Sequence, residues 1–159
     1  GAGLFAFNPK AEYQDNWYAL QPLGTEGQGL PGYGNRYKRV QPVFPVSLGF
    51  RFNINRKWAL GFEFAHRFTL TDYIDDVSTS YVDPADLQAN YDDQTANLIY
   101  GLSRRSTEVD PSDDLGYITA PGQQRGDPKN NDQYFTSTFY LSYTFGKNHY
   151  SCPPKRQFY

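Results

Sequence analysis

Clustered carboxylates, one histidine, a glycine-rich loop and a lone cysteine are the features of this 159-residue sequence whose types and spacing could do chemistry. Asp72, Asp75, Asp76 and Asp83 fall close together, and Asp127 and Asp132 return just before the last apolar run. A hard cation such as calcium takes clustered carboxylates and carbonyls, so Asp72, Asp75, Asp76 and Asp127 are candidate metal ligands. They show no EF-hand pattern and no fixed ligand spacing. The competing reading is turn and capping chemistry, and it is the expectation: Asp83-Pro84 is an N-cap followed by proline at the first helical position, opening a helix over 84–91. Asp92 or Asp93 caps a second helix over 94–103.

His66 lies on an apolar strand face. Catalysis would need a nucleophile in reach and a partner to orient the base. Ser137 is the one hydroxyl placed on the same face, and nothing fixes their proximity, so no catalytic residue is expected. Gly24, Gly27, Gly29, Gly32 and Gly34, with Pro22 and Pro31, lack the strand-to-helix setting of a phosphate cradle. They predict a compact loop packed by Trp17, Tyr18, Leu23 and Leu30. No cofactor is implied.

The elements that must position these groups are strands. From Val40 to Ile54 every even position is apolar (Val40, Pro42, Phe44, Val46, Leu48, Phe50, Phe52, Ile54). A second run has Trp58, Leu60, Phe62, Phe64, His66, Phe68 and Leu70 at its even positions. Pairing residues whose numbers sum to 112 sets Ile54 opposite Trp58 and Arg51 opposite Gly61, with Asn55-Arg56-Lys57 as the tight turn and both apolar sets on one face. A third run, Gln133–Phe145, is apolar at Phe135, Phe139, Leu141, Tyr143 and Phe145. The first residues, 1–7, read as a further strand. Pro42 and Pro45 predict an irregular or edge position for the upper end of the 40–54 run. Arg51, Glu63 and Arg67 face the other way, where Gly49, Gly61 and Ala65 leave room. They predict a polar network with Tyr134, Tyr140 and the threonines, not the lining of a pore.

Charge divides along the same lines. Between Asp72 and Asp132 there are 13 acidic and four basic residues, a net of −9, against +7 for the rest of the chain. The near-neutral total argues against a nucleic-acid binder, which needs a basic surface. Mean hydropathy is −0.72, and no stretch approaches the roughly 18 apolar residues of a spanning helix. Alternating strands average out as polar, so a membrane barrel stays open.

The runs exceed the roughly 9–11 residues with which a tilted strand crosses a bilayer. One connection is tight while those at about 8–38 and 72–132 are long and polar, the asymmetry of outer-membrane barrels with short periplasmic turns and long extracellular loops. The last strand ends in aromatics. The expected fold is all-β: an antiparallel transmembrane β-barrel, with residues 1–145 as its C-terminal part and 146–159 as a periplasmic tail. Four strands cannot close a barrel, the smallest having about eight. The start within a strand, with neither an initiator methionine nor a leader, predicts that further strands precede these, and that the four alone form an open sheet.

Three segments are distinctive in combination: Gln21-Pro22-Leu23-Gly24-Thr25-Glu26-Gly27-Gln28-Gly29; 71–84, with the order Thr-Asp-Tyr-Ile-Asp-Asp-Val-Ser-Thr-Ser-Tyr-Val-Asp-Pro; and Gln124-Arg125-Gly126-Asp127-Pro128-Lys129-Asn130-Asn131-Asp132. With the Asn55-Arg56-Lys57-Trp58 hairpin, they resemble the PorG family of Bacteroidota, outer-membrane β-barrels of the type IX secretion system. The resemblance covers nearly the whole chain and implies a barrel of about eight strands in the outer membrane. It implies protein transport and gliding motility as the setting, with outer-membrane lipids around the barrel. The implied partners on the periplasmic side are the ring lipoprotein PorK (GldK) and PorN (GldN). Under it, Arg56 and Lys57 of the turn and Lys147, Cys152, Lys155 and Arg156 of the tail are the partner-interface candidates. As an odd cysteine, Cys152 suggests a free thiol or a bond to another segment or chain. The alternative is a stand-alone barrel whose acidic loops bind ligands or surfaces outside the cell.

Overall fold

The computed structural model describes residues 1–109 and 118–146. Its strands are β1 (Gly3–Ala6), β2 (Lys10–Tyr13), β3 (Asn16–Ala19), β4 (Val40–Asn53), β5 (Trp58–Thr69) and β6 (Gln133–Tyr143). Its helices are α1 (Pro84–Asn90), α2 (Asp93–Ser103) and α3 (Ser106–Val109). β1, β4, β5 and β6 form one sheet in that order, with β1 and β6 at its edges, and β2 and β3 form a separate hairpin. The strands expected from alternation are therefore present and adjacent in chain order.

Register follows the side-chain period. Ile54 N donates to Trp58 O at 2.9 Å, and a Cβ built on Gly49 would lie 3.7 Å from Glu63 Cβ, as the expected hairpin requires. Along β5 and β6, Trp58 meets Tyr143, Phe62 meets Phe139 and His66 meets Phe135, with ring centroids 4.4–4.8 Å apart. Each step of four along β5 is matched by four back along β6, which fixes one antiparallel register. On the other face, Tyr140 lays its ring over Gly61, where any Cβ would meet Tyr140 Cζ at 2.0 Å.

The prolines do not make β4 irregular or an edge; it runs between β1 and β5. Even-numbered residues of β4 turn their backbone groups to β5, as Ile54 does, and odd ones to β1, where Arg39 O accepts from Phe7 and Pro45 O from Gly1. The missing N–H of Pro42 thus faces the register position of Leu70, just past the end of β5. That of Pro45 falls before the start of β1. Neither removes a ladder bond.

The apolar face of these strands is exposed, and from Ser47 to Asn53 the opposite face of β4 is exposed as well. Leu48, Phe50 and Phe52 are 66%, 54% and 67% exposed, and Phe139 is 76% exposed. On the opposite face Ala59 and Ala65 are 3% and 5% exposed. Val46, Ile54, Leu60, Phe64, Leu70, Phe135, Leu141 and Phe145 are all exposed.

The chain divides into two compact units. Val46–His66 and the residues from Phe135 onward form one, holding the tight turn. Gly1–Pro45 and Arg67–Tyr134 form the other, holding the long loops, the helices and the β2–β3 hairpin. The loop unit has its own apolar core of Leu30, Val82, Leu87, Ala96 and Ile99. Both helix starts are capped as expected: Asp83 accepts from Ala85 N and Asp92 from Thr95 N. The 8–38 connection is not merely a loop. The β2–β3 turn at Gln14 and Asp15 takes φ 51° and 61°, the paired left-handed geometry of a tight hairpin usually given to Asn-Gly.

Candidate functional site

The most organised polar site is buried in the loop unit and gathers the three distinctive segments. Glu26 and Asp76 are 2% and 0% exposed. Glu26 Oε1 accepts from Ser78 N at 2.9 Å, and Oε2 accepts from Thr79 N at 3.0 Å and Thr79 Oγ1 at 2.8 Å. Arg125 Nη1 lies 3.3 Å from Glu26 Oε1 and also donates to Thr25 Oγ1 at 2.8 Å and Asp76 O at 3.0 Å. The Thr25 hydroxyl donates to Asp76 Oδ2, and Tyr37 Oη donates to Asp76 Oδ1 at 2.7 Å. The Gln28 side chain accepts from Glu26 N at 3.0 Å.

Backbone pairing holds the segments in register. Arg125 N donates to Thr79 O at 2.8 Å and Tyr81 N to Gln123 O at 3.0 Å, around the Ser80–Gln124 bridge. Asp76 sits at φ 71°, a conformation that Asp tolerates better than most residues. Burial pushes its carboxyl above the ordinary range, against the hydroxyls of Thr25 and Tyr37 and the charge of Arg125. Burial, then the Asp76 hydrogen bond, raises Tyr37. A stack of rings runs from this site toward the sheet: Tyr73 on Tyr37 at 4.6 Å, Tyr37 on Phe7 at 5.8 Å, Phe7 on Phe5 at 5.3 Å and Phe5 against Tyr134 at 5.9 Å. Arg67 lies over Tyr134 at 5.8 Å. The contact of Phe5 on β1 with Tyr134 on β6 means the sheet curls within this unit.

Chemically the site is a closed clasp. Each carboxylate oxygen of Glu26 and Asp76 accepts from an internal donor. Thr25, Glu26, Gln28, Tyr37 and Arg125 were not singled out by residue-level reading of the sequence. The available signal was a lone Glu among glycines and one of the few basic residues in an acidic stretch.

The candidate metal ligands are not assembled; turn and capping roles, the expected ones, take Asp75 and Asp127 instead. Asp76 is spent in the clasp, and Asp127 turns inward on Lys129 N at 3.1 Å and Asn130 Nδ2 at 2.6 Å. Asp75 accepts from Val77 N at 3.1 Å, and Asp132 from Ile74 N at 2.8 Å. The charge of Asp132 opposes that of Asp72. Burial raises both, with Asp132, Asp75 and Asp127 adding to Asp72, and Asp75 to Asp132. Among the described residues no group of three or more His, Cys, Asp or Glu side chains could hold a metal ion.

Two further expectations are corrected. Trp17 is 67% exposed and does not pack the loop core, because its hairpin position opposite Glu12 faces outward. Leu23 and Leu30 do pack there. Arg51, Glu63 and Tyr140 are exposed rather than joined in a buried network, and the Arg67–Tyr134 contact of the expected network is present.

Arg56 and Lys57 stand at the tight turn, which Asn55 shapes by accepting from Lys57 N at 2.8 Å and Trp58 N at 3.0 Å. A cleft of about 680 Å³ opens there beside Arg51, Asn53 and Thr144. Its lining holds three cations and no carboxylate. Lys147, Cys152, Lys155 and Arg156 lie outside the described residues. His66 stacks on Phe135 at 4.4 Å.

No known protein family, curated protein or solved structure matches the chain.

Proposed function

We propose that this chain is part of an outer-membrane β-barrel whose tight-turn side faces the periplasm, and that it anchors or organises a type IX secretion assembly there. The observation that carries the membrane part is the exposed apolar face of β4, β5 and β6. A sheet that exposes Leu48, Phe50, Phe52 and Phe139 while burying Ala59 and Ala65 suits a lipid solvent and is costly in water, at about 25 cal/mol per Å² of apolar surface. β4 has 14 residues, enough for about 46 Å at 3.3 Å per residue, or about 33 Å of depth at a 45° tilt. That matches a hydrocarbon core of about 30 Å. Trp58, Tyr143 and Phe145 cluster by the tight turn, as an interfacial aromatic girdle would. Closing the barrel needs more strands beside β1 and β6.

The assembly part rests on the resemblance to the PorG family, supported by the convergence of its three loop segments on one clasp. A clasp whose carboxylates are buried and hydrogen-bonded within the protein suits a rigid structural component. Arg56 and Lys57, with Lys147, Lys155 and Arg156 of the tail, would meet PorK (GldK) and PorN (GldN). The test is to remove the residues after Gly146, alone and with Arg56→Ser and Lys57→Ser, and to recover these proteins with the barrel. Reduced recovery supports the docking side; undiminished recovery of both proteins rejects it.

A further inference from the structure

We propose that the cleft between the β2–β3 hairpin and α2 is a binding site for a neutral saccharide. Its volume is about 270 Å³, and it is lined by Tyr13, Gln14, Tyr18, Gln94, Asn97 and Leu98. This is just under the roughly 300–1,000 Å³ of drug-sized ligand pockets, a size that suits one or two sugar rings. Every lining side chain is uncharged, although the 72–132 segment that supplies half of them carries a net −9.

The chemistry is that of a polyol. Side-chain amides each offer donors and an acceptor, as paired hydroxyls do, and tyrosine rings offer an apolar face beside a polar tip. Among the described residues no hydrogen bond ties the amides of Gln14, Gln94 and Asn97 or the hydroxyls of Tyr13 and Tyr18 to another side chain, whereas Tyr33, Tyr37, Gln28 and Gln124 spend theirs internally.

The lining is also positioned. Antiparallel pairing of Ala11 with Tyr18 and Tyr13 with Asn16 puts both tyrosines on the hairpin face turned to α2, with Glu12 and Trp17 on the other. Gly101 of α2 lets the Tyr13 ring lie against the helix; a Cβ there would meet Tyr13 Oη at 2.4 Å. The left-handed turn at Gln14 and Asp15, a conformation Asp tolerates and Gln adopts rarely, brings Gln14 to the rim. Asn97 also lines the neighbouring cleft beside Leu87, Gln88 and Tyr100, which extends the surface for a second unit of an oligosaccharide. The net negative charge of the 72–132 segment disfavours anionic sugars.

The test uses the full-length protein in lauryldimethylamine oxide, since glycosidic detergents would compete. Maltohexaose, cellohexaose and a hexagalacturonate are titrated by calorimetry and saturation-transfer NMR. We expect at least one neutral oligomer to bind with Kd near 1 mM or tighter and the hexagalacturonate not to bind. Tyr18→Ala and Asn97→Ala, both at accessible positions, should each weaken binding about tenfold, while Trp17→Ala on the opposite hairpin face leaves it unchanged. Absence of binding by both neutral oligomers up to about 10 mM, binding that the cleft variants leave intact, or preference for the acidic oligomer overturns the proposal. So does binding of a neutral Gly-Ser peptide in place of the sugars.

Discussion

Arg125 and Glu26, 99 residues apart in sequence, meet at 3.3 Å with the Glu26 side chain wholly buried. Their pairing joins the glycine-rich loop to the segment before the last strand, with the 76–79 backbone between them. A buried charge left without its partner typically costs about 3–5 kcal/mol, while removing both charges together costs far less. Glu26→Ala is therefore expected to destabilise the loop unit by that amount and to speed amide exchange at Ser78 and Thr79, whose N–H groups it accepts. Glu26→Gln with Arg125→Met should recover most of the loss. Hydrogen exchange with mass spectrometry reads both outcomes.

Acid should not loosen the loops in the usual way. Asp72, Asp76 and Asp132 hold their protons more tightly in the fold than in the unfolded chain, chiefly because burial disfavours their charged forms. Their contribution to stability is thus fully present below the ordinary carboxylate value of about 3.9 and is lost as pH rises through the raised folded-state values. Asp92 and Glu108 are shifted the other way by their hydrogen bonds to Thr95 and Arg105, but both are exposed. Loop protection is expected to hold or increase as pH falls from neutral through the raised folded-state values. Asp72→Asn and Asp132→Asn should flatten that rise and improve stability at neutral pH. Monotonic loss of protection over this range would contradict the assignment.

The α1 cap gives a local check. Asp83 Oδ1 accepts from Ala85 N at 2.9 Å, and Asp83 N donates to Tyr33 Oη at 3.1 Å. Asp83→Ala keeps the second bond and loses the first, so a cost of about 1 kcal/mol is expected. Exchange should rise in 84–90 and stay level in the 122–126 segment around the Ser80–Gln124 bridge. Asp83→Asn should behave as the native residue.

The two faces of β4 should respond oppositely to charge. Leu48→Arg near the middle of the strand is expected to cost about 2–4 kcal/mol in a bilayer. Ser47→Arg, one residue away on the other face, should cost far less. Folding yields in phospholipid vesicles with urea titration distinguish them.

How much of this was readable in the sequence depends on distance along the chain. β4, β5 and β6 announce themselves by alternation, and α1 and α2 by Asp83-Pro84 and Asp92, because those signals are local. The β2–β3 hairpin was missed because its strands have four residues each and its turn is Gln14-Asp15 rather than Asn-Gly. The clasp was missed because Glu26, Asp76 and Arg125 are each ordinary loop residues until three distant segments meet. The same meeting removed Asp76 from the metal candidates, since carboxylates near in sequence were used up singly by backbone and hydroxyl donors.

The central claim is that the exposed apolar face of β4 is turned to lipid. It is tested most directly by spin labels placed one at a time from Val46 to Asn53, in a Cys152→Ser background, in the full-length protein in phospholipid vesicles. Accessibility to oxygen, which partitions into lipid, against a water-soluble nickel chelate is then read at each position. The account predicts a period of two, with 46, 48, 50 and 52 favouring oxygen and 47, 49, 51 and 53 favouring nickel. Equal nickel accessibility on both faces, or the opposite phase, would contradict it.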